Sequence, residues 1–435
     1  MPSDKTAEKL ISALGTAALC AVFGIWCANN AYSGLGYAAA AVSVLLMLVL
    51  CLLFVPGWCN FWRGSETAAP RAGLKTSESR IFVAFLLWDA VIIILGYILR
   101  RAMGYTDGNY FEFWLCTDSQ HYMDIARDWY LSSGSMDRLV QLVFLPGYPI
   151  VVRIFSYLTG SVLAAGFIVS GLSFALSGVM LYKLARLDLC EAAAMRAVRF
   201  FATCPAVFFF AAPMSESLFM LCSLSCLYLI RRGKTLPAVC VGAYAAFTRS
   251  LGMILIVPAL FELIRRRARA IEYIELLMIP LGFAAYCAVN YVVSGDAFKF
   301  MVYQNEHWNQ RLGWFFATAA YQTENAAANI GVNSAFLFGL WLPNIIAQLA
   351  AMLIMIFAVR RLRPSYTAYF IAYFVVAIGA TWLLSAPRYL SAMPSLYIAL
   401  ALLSDNKGRE RALYAVSALL LLAYFIMFLL RWQVW

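Results

Sequence analysis

The sequence predicts an all-α polytopic membrane protein, and three observations predict it. Of its 435 residues, 63% are hydrophobic and 13% charged, against roughly half and a quarter in a soluble domain. The apolar residues gather in runs of about 20, the length that spans a bilayer as a helix. The charges, net +11, fall in short clusters between those runs, as in the loops of a membrane protein. A nucleic-acid partner would need a basic stripe on one folded face, which this distribution does not offer. No Gly-rich phosphate loop, zinc-ligand spacing or heptad array is present. The 11 cysteines lie almost all in apolar runs without CxxC pairs, and read as small packing residues rather than a disulfide framework.

In chain order, residues 10–30 and 36–56 form two spans. The opening MPSDKTAEKL leads into an apolar run without a small-residue cleavage site, so the first span reads as a retained helix rather than a signal peptide. Further spans are expected at 81–100, 161–182, 274–294, 336–359, 366–383, 387–404 and 411–430. Two longer runs are interrupted, 197–230 by AAPMSES and 236–263 by FTRSLG. Each predicts two short arms meeting at a polar apex, which is tolerated at membrane depth only inside protein or beside a cavity. The total is about 11–13 transmembrane or membrane-embedded helices. Residues 1–60 then form two N-terminal helices, 81–404 the main body with the long loops 101–147 and 295–333, and 405–435 a C-terminal helix.

Charge sets the orientation. With a cytoplasmic N-terminus and both interrupted runs turning back at their apices, 23 of the 33 Lys and Arg residues fall on the cytoplasmic side. That bias follows the positive-inside rule. Both long loops, the MSES and TRS apices, the SAPRY turn and both histidines then share the non-cytoplasmic face. Polar chemistry is thereby predicted to collect on one side of the membrane.

Within FWLCTDSQHYMDIARDWY, Asp118 and His121 are three residues apart and share a helical face. Tyr122, Ile125 and Trp129 fall near it, giving an amphipathic segment suited to the membrane interface. A carboxylate beside an imidazole suits acid–base work, the first taking a proton and the second donating to an anion. An ordinary solvated helix is the structural alternative. In LVFLPGYPIVVR, Pro146 and Pro149 are expected to prevent a regular helix from entering the membrane. Tyr148 there is a candidate sugar or lipid platform, or simply part of a helix-start turn. Glu216, between Ser215 and Ser217, is a candidate binding residue or a favourable charge at a helix N-terminus.

Arg249 stands in the middle of a hydrophobic run, where an arginine faces a cavity or a partner. Its forked guanidinium suits a phosphate, and an ion pair with Glu216, Asp118 or Asp89 is the alternative. Arg388 begins a non-cytoplasmic helix, opposes its dipole and calls for an anion nearby; snorkelling to headgroups is the alternative. Asp89, in LLWDAVIII, is a second intramembrane acid. His307 and Trp308, in MVYQNEHWNQRLGWFF, suit sugar stacking or an interfacial aromatic belt.

Together these stretches resemble one family. TDSQHYMDIA, VFLPGYP, CPAVFFFAAPMSESLFML, AFTRSLGM, SGDAFKF followed by HW, and SAPRYLSAMPSLYIALAL, in that order, resemble the PIG-V-like (GPI mannosyltransferase II) family of GT-C fold glycosyltransferases, in its bacterial-type form. The stretches span roughly residues 81–404. The family's loop carries a Trp-Asp-Ala-like element before its proline motif, and here Thr117 stands where Trp is usual. A WDA does occur at Trp88–Ala90, but it lies inside a helix, 55 residues before Phe144, whereas Asp118 lies 26 before it. The role is therefore carried to Asp118.

The resemblance implies transfer of a sugar, mannose by preference, from a polyprenyl- or dolichyl-phosphate donor to a glycolipid or envelope-glycan hydroxyl, with inversion. Asp118 is then the base, and His121, Arg249 and Arg388 hold the donor phosphate. Tyr122, Tyr148, Glu216, His307 and Trp308 line the substrate. No cofactor is required; a divalent ion at Asp118, Asp124 and Asp128 is the less favoured option. The expected setting is a bacterial cell membrane, or the ER membrane in a eukaryote. The competing classes are a transporter or flippase of lipid-linked sugars and a non-catalytic glycosylation subunit. No repeat relates the two halves, and polar residues crowd one face rather than the midplane, which favours an enzyme over a transporter.

Overall fold

The computed structural model describes residues 4–62, 78–106, 108–130, 136–381 and 385–434. The basic loop residues 63–77, counted above toward the cytoplasmic side, lie outside the described residues, as do 382–384 at the end of a predicted span. In chain order come α1 (Asp4–Asn29), α2 (Gly34–Phe61), α3 (Glu78–Ala102), α4 (Ser119–Asp128), α5 (Gly147–Thr159), α6 (Val162–Arg186) and α7 (Glu191–Ala202). Then follow α8 (Glu216–Arg231), α9 (Thr235–Thr248), α10 (Ile256–Arg265) and α11 (Met278–Ser294). The rest comprises α12 (Lys299–Trp308), α13 (Phe315–Ala328), α14 (Leu342–Ala358), α15 (Pro364–Ile378), α16 (Ala386–Ser391), α17 (Pro394–Leu403) and α18 (Lys407–Leu429). Shorter helical turns connect them, and no strand occurs among the described residues.

Seven of these helical stretches are long and apolar enough to cross a membrane; α9, α15 and α17 are shorter apolar helices. The protein is an integral, multi-pass membrane protein. Several helices begin on side-chain caps: Ser33, Ser161 and Asn406 accept from the backbone N–H groups of Gly36, Ala164 and Arg409. Such caps satisfy donors that a helix start leaves free.

Both predicted interruptions are present, and each has a cause in packing. Between α7 and α8 the chain runs through buried turns containing Phe208–Phe210 and Pro213. Between α9 and α10, Arg249 is fully extended (φ −149°, ψ 136°) and a 3₁₀ turn follows. Gly252 makes this fold-back feasible, because a Cβ there would lie 2.3 Å from the Ala246 nitrogen. Gly282 plays a similar part between α9 and α11, where a Cβ would meet the Ala243 carbonyl oxygen at 1.8 Å. Small residues at helix crossings let membrane helices approach closely.

Two expectations are corrected. The run 387–404 is two helices, α16 and α17, broken at Ala392–Met393. Pro394 has no N–H to donate, so it starts a helix rather than continuing one. Conversely, Pro146 and Pro149 do not prevent a helix: α5 begins at Gly147 with Pro149 in its first turn, where a missing N–H costs nothing.

α8 packs between α6 and α9 and joins the two polar ends of the bundle. At its Arg231 end a buried network ties four segments together. Arg231 makes two 2.8 Å bonds to Asp188, and Arg363 two 2.6 Å bonds to Glu262. Glu216 begins the other end, roughly 22 Å away at 1.5 Å per residue.

Candidate active site

Four charged side chains from four separate segments form one chain of ion pairs. Glu216, the first residue of α8, is fully buried, and its Oε1 accepts from both Arg249 Nη1 and Arg388 Nε. Arg388, on α16, also donates its Nη2 to Asp118 Oδ2 at 2.5 Å. Arg249 donates to the Ser215 hydroxyl at 3.2 Å, and that hydroxyl lies 2.9 Å from the Tyr122 hydroxyl. The alternation of sign is what makes the burial tolerable, since each charge removed from water meets an opposite one. Exposure is graded along the chain. The Asp118 side chain is 32% exposed, whereas those of Arg388, Glu216 and Arg249 are 4%, 0% and 10% exposed. Asp118 is the member that meets the outside.

The backbone presents Asp118 in an uncommon way. Thr117 sits in the left-handed region at φ 53°, a costly conformation for a β-branched residue and one that collects at functional sites. Asp118 occupies the N-cap position of α4, yet its carboxylate makes no capping bond. It is turned to Arg388 instead of serving its own helix.

Aromatic rings flank this carboxylate. His121, one turn into α4, stacks on Phe144 with centroids 4.5 Å apart. Burial lowers the His121 pKa, while the nearby Asp118 and Asp124 pull it upward; the net direction favours the neutral ring. Tyr122 packs edge-on against Phe144 and Tyr148. Tyr148 is fully buried, donating to the Gly166 carbonyl at 3.0 Å beside the Ser170 hydroxyl at 2.8 Å. Trp308 reaches Phe144 edge-on at 6.1 Å. His307 lies beyond it on the exposed side of α12, 6.0 Å from the Trp308 ring.

The structure thus brings together Asp118, Glu216, Arg249 and Arg388, with Tyr122 attached through Ser215 and a wall of His121, Phe144 and Trp308. Tyr148 lies behind that wall and His307 outside it. Asp89 stands apart, on α3 against Gly171 of α6, with one carboxylate oxygen buried and unbonded. The pairing of Arg249 with Glu216 matches the alternative given for that arginine. Among the described residues no three His, Cys, Asp or Glu side chains gather as a metal site. Asp124 is engaged by Gln120 and Arg127 at 2.9 and 3.3 Å.

Sequence reasoning missed three features: the strain at Thr117, the stacking role of Phe144, and Arg431. A basic residue closing an otherwise apolar helix was the available signal for the last. Arg431 donates to the Phe113 carbonyl at 2.8 Å, five residues before Asp118.

Residues 104–293 match the mannosyltransferase (PIG-V) family. That is the family the motifs resemble. The matched stretch holds Asp118, His121, Tyr148, Glu216 and Arg249, and Arg388 lies beyond it. The match covers 190 of the 435 residues. Among solved structures, the chain is similar to the archaeal oligosaccharyltransferase AglB from Archaeoglobus fulgidus in complex with an inhibitory peptide and a dolichol-phosphate. The identity is 12% and the TM-score 0.42, over 82% of this chain and 56% of that one. It is also similar to an Archaeoglobus fulgidus oligosaccharyltransferase tethered with an acceptor peptide, at 14% identity and TM-score 0.43, over 82% and 55%. The chain spans about half the length of these structures. No curated protein matches it.

Proposed function

We propose that this protein transfers a sugar, mannose by preference, from a polyprenyl- or dolichyl-phosphate to a hydroxyl of a glycolipid or envelope glycan, with inversion, on the non-cytoplasmic side of a bacterial-type membrane. The observation that carries the reading is the partly exposed Asp118 carboxylate bonded to the buried Arg388.

Asp118 takes the proton of the attacking hydroxyl. The freed oxygen bonds to the anomeric carbon as the bond from that carbon to the phosphate oxygen breaks. The phosphodiester monoanion leaves as a monoester dianion. One negative charge therefore disappears from Asp118 as one appears on the phosphate. Arg388, relieved by that proton of one of its two carboxylate partners, is placed to answer the new charge, with Arg249 behind it across Glu216. Preorganised charge of this kind needs no rearrangement during the reaction. The reaction so drawn uses no metal. His121 and Trp308 offer ring faces and edges to the sugars.

A lipid donor also needs a place for its chain. An apolar cavity of about 660 Å³ runs between α14, α17 and α18, and Pro387, Leu390 and Ser391 at its edge flank Arg388. A prenyl chain in this cavity would deliver its phosphate toward the arginines.

Asp118→Asn in proteoliposomes, with labelled polyprenyl-phosphate mannose, tests the reading. Loss of a general base is expected to lower kcat by about 10²–10⁴-fold with little change in donor KM. Near-normal turnover removes Asp118 from the base role. A product that retains the donor's anomeric configuration removes the single displacement.

A further inference from the structure

The ion-pair chain poses a problem of charge. Asp118 and Glu216 balance Arg249 and Arg388, so the four together are neutral before any donor binds. His121 is held toward its neutral form by burial. A donor phosphate arriving at the resting site would then meet no net positive charge among these residues, and even after Asp118 takes its proton they carry only +1 against the dianion's −2.

We infer that Arg431, on the segment following α18, supplies the missing cation and binds the phosphate of the lipid donor. The inference rests on the transferase reading for its ligand and on the geometry below for its residue.

Arg431 is exposed and makes no ion pair with any described carboxylate. It is nevertheless fixed in place. Its guanidinium lies 4.2 Å over the Phe113 ring and donates to the Phe113 carbonyl at 2.8 Å. Phe113 lies three residues before Cys116 and five before Asp118. Cys116 stands between Phe113 and the strained Thr117–Asp118 turn. Arg431 thus reaches the same short loop that presents the carboxylate.

The backbone is built to hold it. Arg431 has φ 60° in the left-handed region, which an ordinary L-residue adopts only under constraint. The next residue's amide bonds to the Met427 carbonyl at 2.9 Å, and Val434 is buried. The Trp432 carbonyl lies so close to Gly339 that a Cβ there would approach it to 2.2 Å. Tyr424 and Met427 line the apolar cavity from α18, and Arg431 follows Met427 by one further turn. A prenyl chain lying along that face would end with its phosphate beside Arg431 on one side and Arg388 on the other. Arg100, which also packs on the Phe113 ring at 4.1 Å, is buried and bonded to the Leu429 carbonyl at 2.6 Å. Of the two residues, Arg431 is the exposed one.

The test compares wild type with Arg431→Ala and Arg431→Lys in nanodiscs, using polyprenyl phosphate and the uncharged polyprenol as probes. Loss of a charge-assisted fork is expected to raise the Kd for polyprenyl phosphate about tenfold or more, leaving polyprenol binding unchanged. Lysine restores part of the affinity, because it keeps the charge without the fork. Equal binding of polyprenyl phosphate by wild type and Arg431→Ala overturns the inference. So does a parallel loss of both lipids in both variants, which would mean that the residue only shapes the cavity. The two readings separate cleanly. Arg431-dependent binding of polyprenyl phosphate without sugar transfer by wild type keeps this assignment and removes the transferase. Transfer with an unchanged donor KM in Arg431→Ala does the reverse.

Discussion

Replacing Glu216 with glutamine probes the centre of the ion-pair chain. Glu216 is fully buried and bonds both Arg249 and Arg388. Glutamine keeps the shape and one acceptor oxygen but removes the charge, leaving two buried guanidinium groups against the single carboxylate of Asp118. Stranding one buried charge costs about 3–5 kcal/mol. Arg249→Met has the opposite imbalance, two carboxylates against Arg388 alone. The double variant Glu216→Gln/Arg249→Met returns to one positive and one negative charge. Its Tm in detergent is therefore expected to exceed that of either single variant, with coupling of about 2 kcal/mol or more, at the upper end for residues in one network. Each single variant is also expected to lose transfer: Glu216→Gln weakens the carboxylate anchor that holds Arg388 beside Asp118, and Arg249→Met removes the second cation behind it. A Glu216→Gln protein within about 0.5 kcal/mol of wild type, the range of an ordinary surface substitution, refutes the reasoning. Strictly additive losses in the double variant refute it equally.

Two further outcomes follow from the same interactions. His121 has a lowered pKa through burial, so its neutral form is favoured in the fold. Stability is then present above the unfolded value of about 6.5 and falls as pH drops through that value toward the lower folded pKa. His121→Phe keeps the stacking on Phe144 and is expected to flatten that part of a Tm-against-pH curve between pH 7 and 5; an unchanged slope counts against it. At the opposite end of α8, Arg363→Met removes both charge-assisted bonds to the buried Glu262, leaving it the Ser365 hydroxyl and Arg231 at 3.7 Å. It is expected to cost about 3 kcal/mol of stability while leaving donor KM as in wild type, and a donor KM shift would mean that the two ends communicate.

Much of the fold was legible in the sequence because a bilayer imposes a local rule. Twenty apolar residues in a row suffice to mark a span, and the interruptions at AAPMSES and FTRSLG stood out against that background. The errors came where proline had two readings. Pro149 falls in a first turn and Pro394 starts a helix, and only the neighbouring geometry separates these cases from a break. Glu216, Arg249 and Arg388 were conspicuous as charges within or beside apolar runs, and Asp118 through its spacing to His121 and the motif around it. Arg431 was not, since an arginine after an apolar helix resembles any membrane-edge cation.

By itself, then, the sequence determined the class of molecule, its approximate spans and the identity of its isolated charges. Only the tertiary structure decided their partners. Glu216 meets arginines 33 and 172 positions away, and Arg388 meets an aspartate 270 positions away. Burial energy acts within a window of one helix and leaves its mark there. Ion pairing inside the bundle depends on how helices remote in the chain cross, and no short stretch of residues encodes that.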